Sequence, residues 1–515
     1  MGVSGVDDRP GGLYTEFSEN VESSPEPSMT LYSPPKERPD ADVRDEGFLA
    51  AVARGEARVT LEQGLSLYKS HTLPELGRWA DARCRVLHGD GLRTYIIDRN
   101  INYTNVCNAK CTFCAFRRDA GDADAYTLSK EQIHEKIAQL VAIGGTQILM
   151  QGGMNPDLPL DYYLDLLASI KEKFPTVHVH AFSPPEMVEF VHFFNPPGAT
   201  FEDKCLWVML RLRQAGLDSL PGGGGEIFAD PVRRKIGLGK CDAESWLTVM
   251  YVAHSLGMFT SATMMFGHIE GYADRVHHMG LVRKWQDRVM REGGEVTESR
   301  VKPGSGHSAA SPAHYKAFIA WPFQRENTPL GRVKDWGFKP EELGQEFPGD
   351  AVARAFNWGE NPGLDYRELG PASAEFGRRV RMSGASDYLR TQAISRLMLD
   401  NIYSIGASWV TMGPHIGQVA LFFGANDMGS VMMEENVVSS AGTTYCLDEA
   451  LLCRLIRDAG FLPAQRNNTY DVLKIHDGPD APDLSVKDWS THRARKLHLE
   501  APRENKAELT VSAKA

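Results

Sequence analysis

What most restricts the fold of this chain is a rhythm. Short apolar, β-branched runs alternate with longer stretches whose apolar residues recur at helical spacing. The strand-like runs fall at 95–102, 146–150, 177–182, 216–220, 260–266, 317–323, 408–411 and 427–432. Helical patterns lie between them; at 129–144, Ser129 and Gln132 form a capping-box pattern ahead of an amphipathic run. A strand returns parallel to its neighbour only through a crossover of a dozen or more residues. Repeated strand–helix units therefore predict a parallel sheet. About eight units fit a closed α/β barrel of the (β/α)8 TIM type, with the active site on the loops after the strands. An open doubly wound sheet is the competing architecture.

The remaining segments bracket or interrupt this rhythm. Residues 1–42 are rich in Ser, Pro, Asp, Glu and Gly and are expected to be a disordered tail. Residues 43–93 carry N-terminal helices, one capped by Thr60, expected to cover the bottom of the next domain. The barrel and a C-terminal extension occupy 94–475, with insertions at about 194–206, 292–314 and 332–385. Trp336, Phe347, Phe356 and Trp358 suit the last insertion to packing. Residues 476–515 form a charged tail, expected at the surface or disordered.

The 515 residues are 42% hydrophobic, enough for a sizeable core, with a net charge of −11. Such a balance offers no electrostatic footprint for nucleic acid. No run of about 18 apolar residues predicts a membrane span, and the first residues lack the basic and apolar regions of a signal peptide. A cytoplasmic enzyme is expected, with neither nucleic acid nor membrane as partner. In that setting Cys84, Cys205, Cys241, Cys446 and Cys453 are expected to be reduced thiols.

The other three cysteines are close together. Cys107, Cys111 and Cys114 are spaced C-x3-C-x2-C, in the loop after the first strand. Iron–sulfur clusters are usually held by four cysteines. Three thiolates can hold three irons of a [4Fe–4S] cluster and leave the fourth for another ligand. Zinc prefers four ligands, commonly in paired C-x2-C spacings, and no second pair follows. A disulfide between two of the three is the remaining alternative.

Further candidates sit at strand ends. Gln151-Gly152-Gly153 follows the second strand, where glycines permit a close approach of backbone to ligand, or simply a tight turn. His178 and His180 are two apart on the third strand, hence on one face, with Ser183 just beyond. Gly222–Gly225 and Glu226 lack the Lys-Ser/Thr of a phosphate loop; Glu226 is either a polar contact or a solvated carboxylate. His268 and Glu270 follow the fifth strand, where His268 suits a proton donor, a carboxylate partner or a structural hydrogen bonder.

The cysteine spacing, with Phe113 before the last cysteine, resembles the signature of the radical S-adenosylmethionine (SAM) enzymes. That resemblance implies a [4Fe–4S] cluster on Cys107, Cys111 and Cys114, with SAM on the open iron. It implies that Gln151, Gly152 and Gly153 bind the SAM amino group, although the family often has Gly-Gly-Glu there. It implies SAM contacts from His180 and Ser183, and an adenine-packing segment at Gly267–Glu270, which matches the family pattern in part.

A longer set of blocks narrows the resemblance. RNINYTNVCNAKCTFCAFRR, GGTQILMQGGMNPDL, HVHAFSPPE, TMMFGHIE, WPFQRENTPLG, ASWVTMGP and GANDMGSVMMEENVV are similar to the cyclic dehypoxanthine futalosine synthase family of menaquinone biosynthesis. The resemblance spans about 44–475 apart from the insertions, which that family is not expected to carry. It implies that a 5′-deoxyadenosyl radical takes hydrogen from the ribose C4′ of dehypoxanthine futalosine. The carbon radical closes on the benzoate ring, and loss of an electron and a proton restores aromaticity. An external reductant such as flavodoxin or ferredoxin is implied as partner. The substrate carboxylate needs a cationic or donor partner, for which Arg325 and Arg390 are available. Tyr103 either relays the final proton or packs as a strand tyrosine. Aminofutalosine synthases and deazaflavin-forming synthases share the opening step, and a non-catalytic iron–sulfur or zinc scaffold is the reading from another class.

Overall fold

The computed structural model describes residues 33–89, 91–237, 239–300, 313–332 and 382–492, with side chains of 292–300 excluded. Its centre is a closed parallel barrel. The first barrel strand is bent at Ile97 into β3 (Leu92–Ile96) and β4 (Asp98–Ile101). The upper half pairs onward through β5 (Gln147–Met150) to β6 (His178–Ala181), with Asn100, Leu149 and His180 level with one another. The fourth strand is reduced to two parallel bridges, His180 with Ser219 and Leu220 with Thr260. Pro221 and the glycines after it prevent a longer strand there.

From Thr260 the barrel continues through β7 (Thr260–Phe266), β8 (Tyr315–Pro322), β9 (Ser404–Gly406) and β10 (Asp427–Ser430). β10 then pairs with β3 and closes the ring. Helices Lys130–Ala142, Leu160–Lys173, Pro184–Phe194, Ala243–Ser255, Tyr272–Arg300 and Ala385–Met398 form the crossovers. The barrel expectation is thus realised, and the open doubly wound sheet is not.

Several expectations are corrected. The stretch 194–206 is helical in its second half, where helix Phe201–Ala215 begins, capped by Thr200, which accepts the Asp203 N–H and pairs with its carboxylate. The 408–411 stretch is not a strand; the strand lies at Ser404–Gly406, and Trp409–Met412 is a short helix. Residues 36–37 of the expected disordered tail form β1 (Lys36–Glu37), parallel to β2 (Ala57–Arg58). The N-terminal helices Leu61–Ser70 and Leu73–His88 lie along the side of the barrel rather than under it. Gly64 there meets Met398 and Val276, and Tyr68 stacks on Tyr272. The charged tail packs in part: Arg457 pairs with Asp483, and Ala481 is buried. The four aromatics of the third insertion lie outside the described residues.

A C-terminal hairpin completes the sheet. β11 (Leu462–Arg466) adds parallel to β3, and β12 (Val472–Ile475) adds antiparallel to β11. The lower half of the first strand is therefore gripped by β10 and β11, while β5 takes its upper half.

Candidate active site

The cysteine loop leaves β4 at the C-terminal end of the barrel. Its ends are tied together by Cys107 N–H to Arg118 O at 3.1 Å and Arg118 N–H to Asn105 O at 2.9 Å. Its middle is tied to the next loops by Asn108 N–H to Met154 O at 3.0 Å and Thr112 N–H to Ile236 O at 2.8 Å. Cys107, Cys111 and Cys114 are free thiols, half-buried, so the disulfide alternative falls away. Burial pushes Cys111 up to about 12 and raises Cys107, while the Lys240 ammonium works in the opposite direction. Such thiols ligate only when a metal displaces their protons.

Among the described residues, no three His, Cys, Asp or Glu side chains converge on a single metal ion. The adjoining backbone leaves room only for glycine: a Cβ on Gly153 would overlap the Val106 carbonyl and come within 2.9 Å of Cys107 Cβ. The donor set and this cradle fit an iron–sulfur cluster with an open side.

Gly152 and Gly153 are held from beneath. A Cβ on Gly152 would overlap the Tyr103 ring. The Tyr103 hydroxyl donates to Glu186 Oε1, which also accepts the Gly152 N–H at 3.1 Å. Glu186 Oε2 accepts the N–H and hydroxyl of Ser183 at 2.8 and 2.7 Å. Tyr103 is buried among Tyr162, Tyr163 and Phe182. Burial, with the Glu186 carboxylate beside it, raises its hydroxyl far above the ordinary range. Tyr103 therefore sits under the loop as a support, a poor position for a proton acceptor.

The glycine run serves close packing. A Cβ on Gly223 would overlap the Gln151 amide, and one on Gly224 would overlap Pro185. Gly222 and Gly225 press against the Ser261 and Thr263 carbonyls of β7. Glu226 is buried with a left-handed φ of 39°, and Phe182 and Met432 have φ of 60° and 51°. Three non-glycine residues thus store backbone strain at or beyond strand ends, where such strain accompanies function. Glu226 Oε1 accepts from Lys240 Nζ at 2.6 Å, while its Oε2 is buried with no protein partner. Lys240 also lies 4.9 Å from the centre of the Phe113 ring. Glu226 and Lys240 thus link the glycine run to the cysteine loop, a connection the sequence spacing does not reveal.

Gly267, at φ 84°, packs against Ser383. Glu270 accepts the Gly267 and His268 N–H groups at 2.7 and 2.8 Å, and the Arg275 Nε–H at 2.9 Å. Burial alone would raise Glu270, but His268 and Arg275 beside it, together with these N–H groups, hold it at about 2. His268 Nδ1 lies 2.8 Å from the Ile269 nitrogen and 3.1 Å from Glu270 Oε2, and Nε2 faces Met265 O at 3.1 Å. Burial lowers the pKa of the ring, while the Glu270 carboxylate works in the opposite direction. His268 is thus both a carboxylate partner and a hydrogen bonder to the surrounding backbone.

A cavity of about 360 Å³ occupies the barrel interior. Bulky branched side chains usually fill that space; here it is open, with a lining that mixes polar side chains such as Asn100, Gln151, His180 and Thr263 with apolar ones such as Ile319, Trp321 and Trp409. The Asn100 Oδ1 is buried and has no partner in the protein. Neither Arg325 nor Arg390 lines it: Arg325 bonds Gly331 O, and Arg390 bonds the Tyr68 and His71 carbonyls. Arg466 does line it, but its guanidinium is paired bidentately with Asp427 at 2.5 and 2.9 Å.

The chain matches the radical SAM superfamily over residues 101–282 and the CofH/MqnC C-terminal region over residues 374–478. It is 36% identical to the cyclic dehypoxanthine futalosine synthase of Halalkalibacterium halodurans, over 85% of this chain and 97% of that protein. It is 32% identical to the aminodeoxyfutalosine synthase of Thermus thermophilus, over 82% of this chain and 95% of that one. In fold it is similar to methylornithine synthase, with a TM-score of 0.51, 15% identity and coverage of 81% and 97%. With the barrel, the three free thiols and the glycine cradle beside them, these likenesses identify the chain as an enzyme of the radical SAM superfamily, in the group that includes the cyclic dehypoxanthine futalosine synthases.

Proposed function

We propose that this enzyme cyclises dehypoxanthine futalosine to its spiro product in menaquinone biosynthesis. The observation that carries the reading is the open cavity inside the barrel, lined by both polar and aromatic side chains. Asn100 and Gln151 suit a sugar, and Trp321 and Trp409 suit an aromatic ring. The substrate has one of each, and ring closure requires both to be held in a near-attack geometry. The relatives support the class of reaction; the choice of substrate rests on the cavity and the motif blocks.

In this reading Cys107, Cys111 and Cys114 hold a [4Fe–4S] cluster, and Gln151, Gly152, Gly153, Ser183 and Glu226 surround the amino-acid end of SAM. Gly267–Glu270 packs the adenine, with Glu270 fixing that loop. The cluster and SAM together supply a primary carbon radical when bound. The chain orients the sugar against that radical and keeps water and stray C–H bonds away. Tyr103 and Glu186 hold the SAM-binding loop in place. An external one-electron reductant such as flavodoxin or ferredoxin reaches the half-buried cysteine loop, in the cytoplasm. The catalytic unit is 94–475, and 43–93 braces its side.

Product identification by mass spectrometry tests this. Anaerobically reconstituted protein, given dehypoxanthine futalosine, SAM and a reductant, should yield the cyclised product with 5′-deoxyadenosine and methionine. Formation of 5′-deoxyadenosine without that product overturns the substrate assignment. An adenosyl adduct formed instead from the enol-ether substrate of aminofutalosine synthases favours that activity.

A further inference from the structure

Both histidines of β6 reach the same hydroxyl. His180 Nδ1 lies 2.6 Å from Ser219 Oγ, and His178 Nε2 lies 2.7 Å from that same atom. The bridge between His180 and Ser219 fixes this level of the barrel. His180 lines the cavity, and with Nδ1 engaged its Nε2 is left for the interior. His178 is half-buried, two residues lower on the strand and toward the barrel floor.

A serine hydroxyl has one hydrogen, so it donates to one imidazole and accepts from the other. The three groups therefore have two arrangements, which differ in the direction of every hydrogen bond. In one, His180 Nε2 is bare; in the other it carries a proton. Passing between them moves a proton from the cavity to His178. Burial favours the neutral ring at both positions, with His178 lowered to about 4, so the resting chain is uncharged. The charged groups that face it are Arg466 near His180, and Asp218 with Lys171 near His178.

No carboxylate in the cavity wall competes well for this role. Asp98 is hydrogen-bonded by Gln147 and Ser430, Asp427 is paired with Arg466, and Glu435 accepts the Val437 and Ser439 N–H groups.

We propose that His180, Ser219 and His178 form a proton wire that accepts the ring proton released on rearomatisation and delivers it to the floor of the barrel. The proposal rests on the cyclase reading. The ring C–H bond breaks to His180 Nε2 with its electron pair left on the ring. The ring radical anion so formed passes one electron to an external one-electron acceptor, which restores the closed-shell aromatic ring. The His180 Nδ1 proton passes to Ser219 Oγ as the Ser219 proton passes to His178 Nε2. His178 then releases its Nδ1 proton to water. The exit lies at the opposite end of the barrel from the cysteine loop, which keeps water out of the mouth while the radical is present.

Ser219→Ala breaks the wire without removing either imidazole, and Ser219→Thr restores the hydroxyl. The experiment measures 5′-deoxyadenosine, cyclised product and the solvent deuterium isotope effect on product formation, in reconstituted protein of verified iron content. Ser219→Ala is expected to cleave SAM at close to the wild-type rate while its yield of product per 5′-deoxyadenosine falls about a hundredfold or more, as for loss of general-base assistance. Ser219→Thr should recover the yield, and the isotope effect should change in Ser219→Ala alone. An unchanged yield and isotope effect in Ser219→Ala overturns the wire while leaving the cyclase reading intact. Equal loss of SAM cleavage and product in both variants also overturns it, since that is the mark of a packing defect. A wild-type enzyme that forms no cyclised product overturns the cyclase reading and the wire with it.

Discussion

The Tyr103 hydroxyl donates to Glu186 Oε1 across 2.7 Å, beneath the loop that carries Gly152. Glu186 belongs to a capping box on helix Pro184–Phe194, yet its carboxylate also receives the Gly152 N–H. A helix cap is thus also the clamp of the loop that carries Gly152 and Gly153. Tyr103→Phe removes one of four donors and should cost about 1 kcal/mol of loop stability. Its KM for SAM should rise several-fold with iron content unchanged. Glu186→Ala leaves buried N–H groups unsatisfied and should lower the melting temperature as well. Steady-state SAM cleavage and thermal unfolding of both variants check this.

Gly153→Ala tests the cradle. The added Cβ has only the Val106 backbone and Cys107 Cβ to meet, and backbone cannot yield as a flexible side chain does. The cysteine loop must move, so the variant should bind markedly less iron and sulfide after reconstitution. Far-ultraviolet circular dichroism should stay that of the folded barrel. Wild-type iron content in Gly153→Ala would contradict the placement of the cluster.

Glu270 gives a pH signature. Its folded value of about 2 lies below the ordinary 4.5, so it stabilises the protein above that ordinary value. The contribution, on the order of 3 kcal/mol from the size of the shift, fades as pH falls from about 4.5 toward 2. Glu270→Gln should therefore be less stable than wild type at neutral pH, and the gap should narrow through this acidic window. Denaturant unfolding across pH 7 to 3.5 measures it. A gap that persists unchanged would show that the carboxylate charge is not what matters.

Asn100 bears an acceptor with no protein partner, inside the cavity. A bound hydroxyl would satisfy it. Asn100→Leu should relieve that buried polar group and leave the free protein no less stable. It should weaken substrate binding by about 1–3 kcal/mol, the cost of losing a buried hydrogen bond. The KM for substrate should rise at least several-fold, while uncoupled SAM cleavage is preserved. Isothermal titration with substrate, paired with thermal unfolding, separates the two effects.

Much of the architecture was legible in the sequence because strand and helix periods differ. The cysteine loop was legible because three ligands lie within eight residues. Helix Phe201–Ala215 was obscured by Pro196, Pro197 and Gly198 just before it, although Thr200 and Asp203 carried a capping signal. The β-branched Val410 and Thr411 suggested a strand, but tertiary pairing placed it earlier, where Asn426 accepts the Ile405 N–H. The link between Lys240, Glu226 and Phe113 joins residues up to 127 positions apart, and no local pattern announces it. Nor could sequence choose among the three roles for His268; that needed the positions of the Glu270 carboxylate and the Met265 carbonyl.

The grip of β11 on the first strand has a consequence for how the cavity is made. Arg466, Asn468 and Tyr470, which close its lower end, come from the hairpin and not from any barrel strand. The eight-strand ring is complete by Ser430, but the cavity still lacks part of its lining until the chain has run through Tyr470. A ribosome therefore delivers the cylinder first and its plug afterwards. Depth and charge at the foot of the chamber can then be retuned in the hairpin alone, without disturbing the loops around the radical chemistry at the other end.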